Sequence, residues 1–306
     1  MNTRMLLLCL IAVACSEEKT FDPVDPAALA QKHEQAEKWM SRGVFQKALP
    51  IWEEIVEADP SDWVARFELG RTFMAYGDRF DEAAEQFEAA AELAPQEAKI
   101  HRQLGIARRY LGQFEAAARA LEASLKIEPG HARTLALQGL TLLETDALEA
   151  ARSALEESLR VESDNVEALF GLGELQRRSD DLEGACELYR QTLRVDPFHL
   201  AARHQLGLCQ RDLGEREEAK RHLELHRLIN SLSDNVVDRT RPELDRFQGT
   251  LEQILELEPE NWRALEDLGA ALEAREEVDA AKDAYRKALE INPDAQRAQQ
   301  ALERMQ

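Results

Sequence analysis

Apolar residues recur along most of this chain at helical spacing, in pairs of runs that a short turn separates. The stretch from Ala98 to His131 shows the pattern: the first run carries Leu104 and Gly105, a turn follows at residues 111–114, and the second run ends before Pro129. Apolar positions three and four residues apart lie on one face of a helix. Each pair of runs therefore predicts two amphipathic helices joined by a turn.

The helix pair repeats with a period of 34 residues from about Leu29 to Ala295. A glycine stands near the middle of most first runs, at Gly70, Gly105, Gly139, Gly173, Gly207 and Gly269. Because glycine has no Cβ, it lets two helices approach closely. Large residues of the second runs, such as Trp52, Phe87 and Tyr189, are expected to fill the space between repeats.

This period and these positions resemble the tetratricopeptide repeat, a helix-turn-helix unit of 34 residues. The resemblance implies an all-α fold, a right-handed α-solenoid of about seven to eight units with a C-terminal capping helix. It divides the chain into six units over residues 29–231, a last unit over residues 262–295 and a capping helix over residues 296–306.

The pattern breaks between the sixth and the last unit. Ser231–Arg241 reads SLSDNVVDRTR and lacks helical periodicity. Residues 232–261 then have two interpretations. They are either a degenerate repeat with a damaged first helix, or a hinge or partner-contact loop between the two parts of the array.

The first residues are typical of an export signal. Arg4 precedes an apolar run from Met5 to Ala14, which spans about 15 Å as a helix and is too short for a bilayer core of about 30 Å. Ala12-Val13-Ala14 before Cys15 resembles the bacterial lipobox, although Leu is usual where Ala12 stands. The resemblance predicts a signal peptide over residues 1–14 and acylation of Cys15.

Residues 15–28 then form the acylated cysteine and a flexible tether, because they are polar and contain two prolines. Ser16 stands where Asp favours retention at the inner membrane in the lipoproteins that this leader resembles, so the outer membrane, facing the periplasm, is expected. Two alternatives stay open. Ordinary signal peptidase would release a soluble periplasmic protein, and the apolar run is also compatible with a buried helix of a cytoplasmic protein.

The charge of the chain excludes one class of partner. The formal net charge is −21, so nucleic acid should be repelled rather than bound. We find no glycine-rich phosphate loop and no nucleophile elbow in the sequence. The sequence therefore predicts no enzyme and no cofactor.

Two weaker candidates for chemistry remain. Glu218, His222 and His226 are spaced on one helix face like metal ligands, but a packed or surface histidine pair is the simpler interpretation. Cys186 and Cys209 fall on neighbouring predicted helices, where buried thiols are favoured over a disulfide.

The tetratricopeptide resemblance implies a concave groove lined by positions 2, 5, 9, 12 and 13 of each first helix. Over the second to sixth units these positions carry eight basic and four acidic residues, a sum of +4 on a chain of −21. The predicted partner-binding residues are Phe67, Arg71, Lys99, Arg102, Arg109, Tyr110, Arg133, Phe170, Arg177, Arg178, His204 and Arg211.

Two interpretations of this groove stay open. It is either a cradle for acidic or C-terminal segments of other proteins, since arginine binds carboxylates with two hydrogen bonds, or a chance excess of basic residues that pair within the chain.

The sequence thus predicts a non-enzymatic scaffold or adaptor, lipid-anchored in the bacterial envelope, that binds partner proteins through its groove. The alternative is a pilotin-like assembly factor or a regulatory subunit of a pilus, secretion or peptidoglycan-processing complex. The plan of a lipobox followed by repeats looks like lipoproteins that assemble pilus secretins, and like adaptors that recruit peptidoglycan enzymes. Neither the partner nor the oligomeric state follows from the sequence.

Overall fold

The computed structural model describes residues 26–232 and 240–305, and these ranges contain helices and turns without a β-strand. The predicted all-α fold class is confirmed. The sequence favours this outcome because Ala, Leu, Glu, Arg and Gln, which are strong helix formers, dominate it.

Sixteen helices lie in the described ranges. In chain order they are α1 (Pro26–Ser41), α2 (Phe45–Ala58), α3 (Trp63–Tyr76), α4 (Phe80–Leu93), α5 (Ala98–Tyr110), α6 (Phe114–Ile127), α7 (Ala132–Glu144), α8 (Leu148–Val161), α9 (Val166–Arg178), α10 (Leu182–Val195), α11 (Leu200–Asp212), α12 (Arg216–Ser231), α13 (Arg241–Leu257), α14 (Trp262–Ala274), α15 (Val278–Ile291) and α16 (Gln296–Arg304).

Successive helices pack in pairs, which we call hairpins. The pairs α1–α2 to α11–α12 coincide with the six units expected over residues 29–231, and α14–α15 with the unit expected over residues 262–295. In each hairpin we call the two members the first helix and the second helix. The helix α1 begins at Pro26, inside the stretch expected to be a tether.

In six of the seven hairpins of the described residues, all but α1–α2, a glycine in the first helix lets the second helix approach closely. A Cβ built on Gly139 of α7 would lie 2.5 Å from Leu155 Cγ and 3.2 Å from the carbonyl oxygen of Ala151, both on α8. Phe87 and Tyr189 stand over the corresponding glycines of their own hairpins. Phe87 and Tyr189 therefore fill the space above a glycine of their own hairpin, and Tyr189 also packs in the buried cluster that joins α10 to α11 of the next hairpin.

Side-chain caps fix where several first helices begin. The side chains of Asp62, Asn165 and Asn261 each accept a hydrogen bond from the backbone N–H three residues later. His131 and His199 do the same through Nδ1. Such caps satisfy backbone donors that have no partner inside the helix.

The chain forms two compact units, divided after Pro95. In the N-terminal unit the buried side chains include Trp52, Phe73 and Phe87. In the C-terminal unit, buried residues form clusters across neighbouring hairpins: one joins α7 to α9, one joins α10 to α11, and one joins α12 to α14. Each hairpin of that unit thus completes its core with the next, as a repeat array requires.

Within residues 232–261 the structure describes one helix, α13, in which Leu251 and Ile254 are fully buried. Residues 233–239, which include most of the expected damaged helix or hinge, lie outside the described residues. The turn after α13 lies beside the turn before α11. Arg263 contacts Asp196 at 3.0 Å, and the buried Arg203 contacts Glu258 at 2.9 Å. Both sides of the interruption are therefore tied together within the C-terminal unit.

The helix α16 covers the end of the array, as expected for a cap. Its Ala298 and Ala301 are buried against α14 and α15. On its outer side Arg297 pairs with Asp267 at 2.9 Å, and Arg304 lies 3.4 Å from Glu273. An apolar inner face and a charged outer face are what a terminal repeat needs in water.

The predicted signal peptide, Cys15 and most of the tether lie outside the described residues. Among the residues that the structure does describe, no helix combines the length and the apolar character needed to cross a bilayer.

The glycine contact yields a paired prediction. Replacing Gly139 by Ala forces a methyl group against Leu155 and the Ala151 carbonyl, and we expect the free energy of unfolding to fall by about 1–3 kcal/mol. Gly249 lies inside α13 with no atom within 4 Å of a built Cβ. Gly249→Ala should instead stabilise the protein by about 1 kcal/mol, because alanine favours the helix. Urea unfolding followed by circular dichroism compares the two, and equal effects would contradict the close-approach account.

Candidate functional site

The predicted groove residues all lie on first helices, and we call their exposed side the first-helix face. Phe67 and Arg71 belong to α3 in the N-terminal unit. The other ten belong to α5, α7, α9 and α11 in the C-terminal unit. The two sets are described separately because they lie in different compact units.

In the N-terminal unit, Phe67 is a core residue. It is 6% exposed and packs against Phe87 with 5.8 Å between ring centroids. Arg71 is exposed, pairs with Glu68 at 2.9 Å and lies over the Phe67 ring. Phe67 therefore offers no accessible apolar anchor, and the Arg71 charge already has a partner on its own helix.

Three basic residues of the C-terminal unit also have close carboxylate partners. Arg177 contacts Glu174 at 2.8 Å, Arg211 contacts Asp212 at 2.9 Å, and Arg102 contacts Glu128 at 3.4 Å. For these arginines the interpretation of pairing within the chain applies. Their charge is largely matched before any partner arrives.

Arg109 of α5 and Arg178 of α9 have a different environment. Arg109 donates hydrogen bonds to the Leu137 carbonyl at 3.2 Å and to Thr141 Oγ1 at 3.1 Å, both on α7. Arg178 donates to the Leu143 carbonyl in the last turn of the same helix, and its nearest carboxylate, Asp146, is 4.0 Å away and highly exposed.

The two arginines therefore flank α7 from both sides while their hydrogen bonds end on neutral oxygens. Burial lowers the pKa of Arg109, because removal from water disfavours the charged form. A guanidinium stays charged even so. The positive charge in the middle of the first-helix face is thus offset only in part, by Glu144 near Arg109 and by Asp146 at 4.0 Å from Arg178.

Two exposed cations lie at the start of neighbouring first helices. Arg133 begins α7 with 64% of its side chain exposed, and its nearest carboxylate, Glu167, is 3.9 Å away. Lys99 begins α5 and lies 3.9 Å from Glu97. At such distances in water an ion pair is weak, so both side chains are accessible to an anion.

The predicted aromatic residues differ in accessibility. Tyr110, at the end of α5, is 65% exposed. Phe170 is half-buried between Tyr189 and His199, with ring centroids 5.9 Å and 5.0 Å away. His204 is exposed and stacks with His226 at 5.2 Å. Tyr110 is therefore the large apolar surface that this part of the face offers.

The sequence did not single out Thr141. It is fully buried and donates its own hydroxyl proton to the Leu137 carbonyl at 2.6 Å, which leaves its oxygen to accept from Arg109. Thr72 holds the equivalent position in α3 and makes the same bond to Glu68. The sequence signal for this role is a threonine at a repeat position that is otherwise apolar.

The two weaker candidates are placed as follows. His222 Nδ1 lies 3.4 Å from Arg203 Nη1, and His226 Nδ1 donates to the Leu200 carbonyl at 3.1 Å. No group of metal-binding side chains is assembled in the described ranges. Cys186 and Cys209 are buried free thiols. Burial raises the pKa of Cys186 to about 12 and also raises that of Cys209.

Comparison with known families identifies the repeat. The sequence profile of the tetratricopeptide repeat matches residues 34–98, 102–160, 137–198 and 248–296, which together make up more than half of the chain. A search of curated protein sequences finds no match.

Solved structures with the same fold are known. A crystal structure of PilW, described as a widely conserved type IV pilus biogenesis factor, has a TM-score of 0.58 at 15% identity and covers 68% of this chain and 97% of its own. The Cut9–Hcn1 hetero-tetramer of the APC/C has a TM-score of 0.52 at 17% identity, covering 93% of this chain and 50% of the matched one.

MamA of Desulfovibrio magneticus RS-1 has a TM-score of 0.51 at 20% identity, covering 56% of this chain and 96% of its own. At these identities the three likenesses show a shared fold.

The contacts of Arg109 yield a stability prediction. Arg109→Met keeps the apolar stem but removes the hydrogen bonds to Leu137 and Thr141 on the next hairpin. We expect the free energy of unfolding to fall by about 1–2 kcal/mol. The matched change Lys99→Met at the exposed end of the same helix should alter it by less than about 0.5 kcal/mol. Thermal and urea unfolding measure both, and equal losses would show that Arg109 does not join the hairpins.

Proposed function

This chain belongs to the tetratricopeptide repeat family, and we propose that it is a non-enzymatic scaffold that binds acidic or C-terminal segments of partner proteins on the first-helix face of its C-terminal unit. Proteins of this family typically serve as protein-interaction scaffolds. The proposal adds to that general role the surface that binds and the chemistry of the bound segment.

One observation carries the proposal: Arg109 and Arg178 end on neutral oxygens of α7. A guanidinium bonded only to neutral groups still attracts an anion, and a carboxylate binds it with charge-assisted hydrogen bonds. Arg133 adds an exposed charge on α7 itself. A carboxylate-bearing segment laid along α7 would supply closer anionic partners than Asp146 and Glu167, which lie 4.0 Å from Arg178 and 3.9 Å from Arg133.

The negative charge of the rest of the chain confines the attraction for an acidic segment to this face. With a net charge of −21, the surface as a whole repels an acidic segment, so the basic face on α5, α7 and α9 determines where it binds. Charge complementarity of this kind sets register and suppresses wrong contacts more than it raises affinity. The exposed ring of Tyr110, which follows Arg109 in α5, supplies an apolar anchor beside the charges.

A site-specific photo-crosslinker tests the surface. Replacing Tyr110 by p-benzoylphenylalanine in the full chain, followed by irradiation in cells and mass spectrometry, should yield cross-linked partner peptides rich in Asp and Glu. The same group at Val161, which is 52% exposed on the second helix α8, should yield few. Equal yields from the two positions would place the binding surface elsewhere.

A charge reversal added to the Tyr110 probe separates attraction from proximity. Arg133 lies 3.9 Å from its nearest carboxylate, so Arg133→Glu should leave folding unaffected. Cross-linking should fall several-fold, because the new carboxylate repels an acidic segment. Arg119→Glu, on the exposed side of the second helix α6, changes the net charge equally and should leave the yield unchanged.

We further propose that Cys15 is acylated and holds the scaffold at the bacterial envelope, at the outer membrane facing the periplasm. The support is the leader alone, with its short apolar run before Ala12-Val13-Ala14-Cys15. Several acyl chains on one cysteine would give stable anchoring, whereas a single chain gives marginal binding. Release as a soluble periplasmic protein is the alternative.

Metabolic labelling with a palmitate analogue decides between these two forms. The wild-type chain should carry the label and sediment with membranes, and Cys15→Ser should lose both properties. An unlabelled wild-type chain in the soluble fraction would refute the lipobox interpretation and leave the scaffold proposal standing.

A role as an assembly factor or regulatory subunit of a pilus, secretion or peptidoglycan-processing complex remains the second candidate. The likeness to the pilus biogenesis factor PilW is one of fold. Co-purification with a secretin or with a wall hydrolase would distinguish the two kinds of complex.

A further inference from the structure

A second candidate site lies in the C-terminal unit, away from the first-helix face. It is a cleft of about 1010 Å³ at the edge of the array, between the end of α10, the middle of α12 and the turns after α13 and α15. Ligand pockets in proteins commonly have volumes of this size. Its walls carry charges of opposite sign.

One wall of the cleft is basic. Arg190 and Arg194 project from α10 and Arg221 from α12. Arg190 lies 3.9 Å from Glu187 and 3.8 Å from Glu215, both long contacts. Arg194 contacts Glu187 at 3.2 Å but keeps 65% of its side chain exposed. Arg221 is exposed and has no ion-pair partner among the residues that the structure describes.

The acidic wall of the cleft is formed by turns. Asp164, Glu260 and Asp294 line the cleft, each in a turn that follows a helix. These three carboxylates are exposed and have no ion-pair partner in the described part of the chain. The lining thus takes its exposed cations from helices and these three exposed anions from turns, and the two sets do not pair with each other in the described residues.

The lining also contains apolar side chains: Leu193 and Leu206 are buried, whereas Trp262 is half-buried and Ile291 is exposed. A buried network beneath it fixes the shape. Arg203, fully buried, donates to both Glu258 oxygens at 3.3 Å and 2.9 Å and to the Pro197 carbonyl at 2.6 Å. Breaking such a buried pair is costly, so the turn after α13 is held in place.

His222 is part of the same network. Its Nδ1 accepts from Arg203, and burial together with the nearby Arg203 charge lowers its pKa to about 4. At neutral pH the ring is therefore uncharged and carries its proton on Nε2, so it adds a donor to the lining without adding charge.

From this arrangement we propose that the cleft binds a short zwitterionic segment of a partner protein: an acidic side chain against Arg194 and Arg221, an apolar side chain on Trp262 and Ile291, and a basic side chain against Glu260 and Asp294. A segment with one sign of charge would meet repulsion at one wall. This site is independent of the first-helix face, and either proposal can fail without the other.

Blocked tripeptides test the proposal on the full chain. The indole N–H signal of Trp262, assigned by its loss in Trp262→Phe, reports occupancy in an NMR titration. Acetyl-Glu-Leu-Lys-amide should shift this signal and bind about tenfold more tightly than acetyl-Lys-Leu-Lys-amide or acetyl-Glu-Leu-Glu-amide. Equal affinities for the three peptides, or no shift of Trp262 with any of them, would overturn the proposal.

A charge-swapped variant distinguishes a specific loss of peptide binding from a loss caused by unfolding. Arg194→Glu with Arg221→Glu should weaken the mixed-charge peptide about tenfold and should gain binding of acetyl-Lys-Leu-Lys-amide, since both walls are then acidic. A gain of binding cannot come from an unfolded chain. The control pair Arg119→Glu with Arg216→Glu, exposed and outside the cleft, changes the net charge equally and should leave both affinities unchanged. If the control pair changed both affinities in the same way, net charge and not the cleft would account for the binding, and the proposal would fail.

Discussion

A contact between a glycine of the first helix and a large side chain of the second joins the two helices in every hairpin from α3–α4 to α11–α12 and in α14–α15. Leu155 packs against Gly139 in the space that a Cβ would occupy, and Tyr189 packs against Gly173 in the same way. Because the two helices approach so closely, the first helix turns a constant side outward in successive hairpins. The surfaces available for binding follow from that one constraint and from the side chains that occupy the exposed positions.

The positions of basic residues alone do not define a binding surface on such an array. Whether each arginine already pairs with a carboxylate of the chain determines whether it can bind an anion of another protein. Arg109 of α5 and Arg177 of α9 hold the same position in their repeats. Arg177 pairs with Glu174 of its own helix, whereas Arg109 donates hydrogen bonds to neutral oxygens on the next hairpin. The proposed site is therefore narrower than the full set of basic residues. It centres on α7 and on the arginines that flank it.

The repeat period predicted the helices and their pairing because one local rule, repeated every 34 residues, governs both. The ion pairs of Arg71 with Glu68 and Arg177 with Glu174 were also visible as residues three apart on a helix. The bonds of Arg109 depend on which oxygens the next hairpin presents, and Phe67 is buried because Phe87 packs on it. Those facts need the packed structure.

The contact of Arg203 with Glu258 was beyond the sequence pattern for another reason. It joins residues across the stretch where the 34-residue period fails, so no alignment of repeats brings them together. The cleft beside that contact is likewise a product of the interruption. Irregular stretches in a repeat array therefore create surfaces that its regular repeats do not have.

Hydrogen exchange on the full chain, measured with and without a synthetic acidic peptide of alternating Glu and Leu, tests most directly whether the first-helix face of the C-terminal unit is the binding surface. Bound peptide should slow exchange in α5, α7 and α9 and leave the second helices α6, α8 and α10 unchanged. Protection confined to the second helices, or spread evenly over both kinds of helix, would contradict the account.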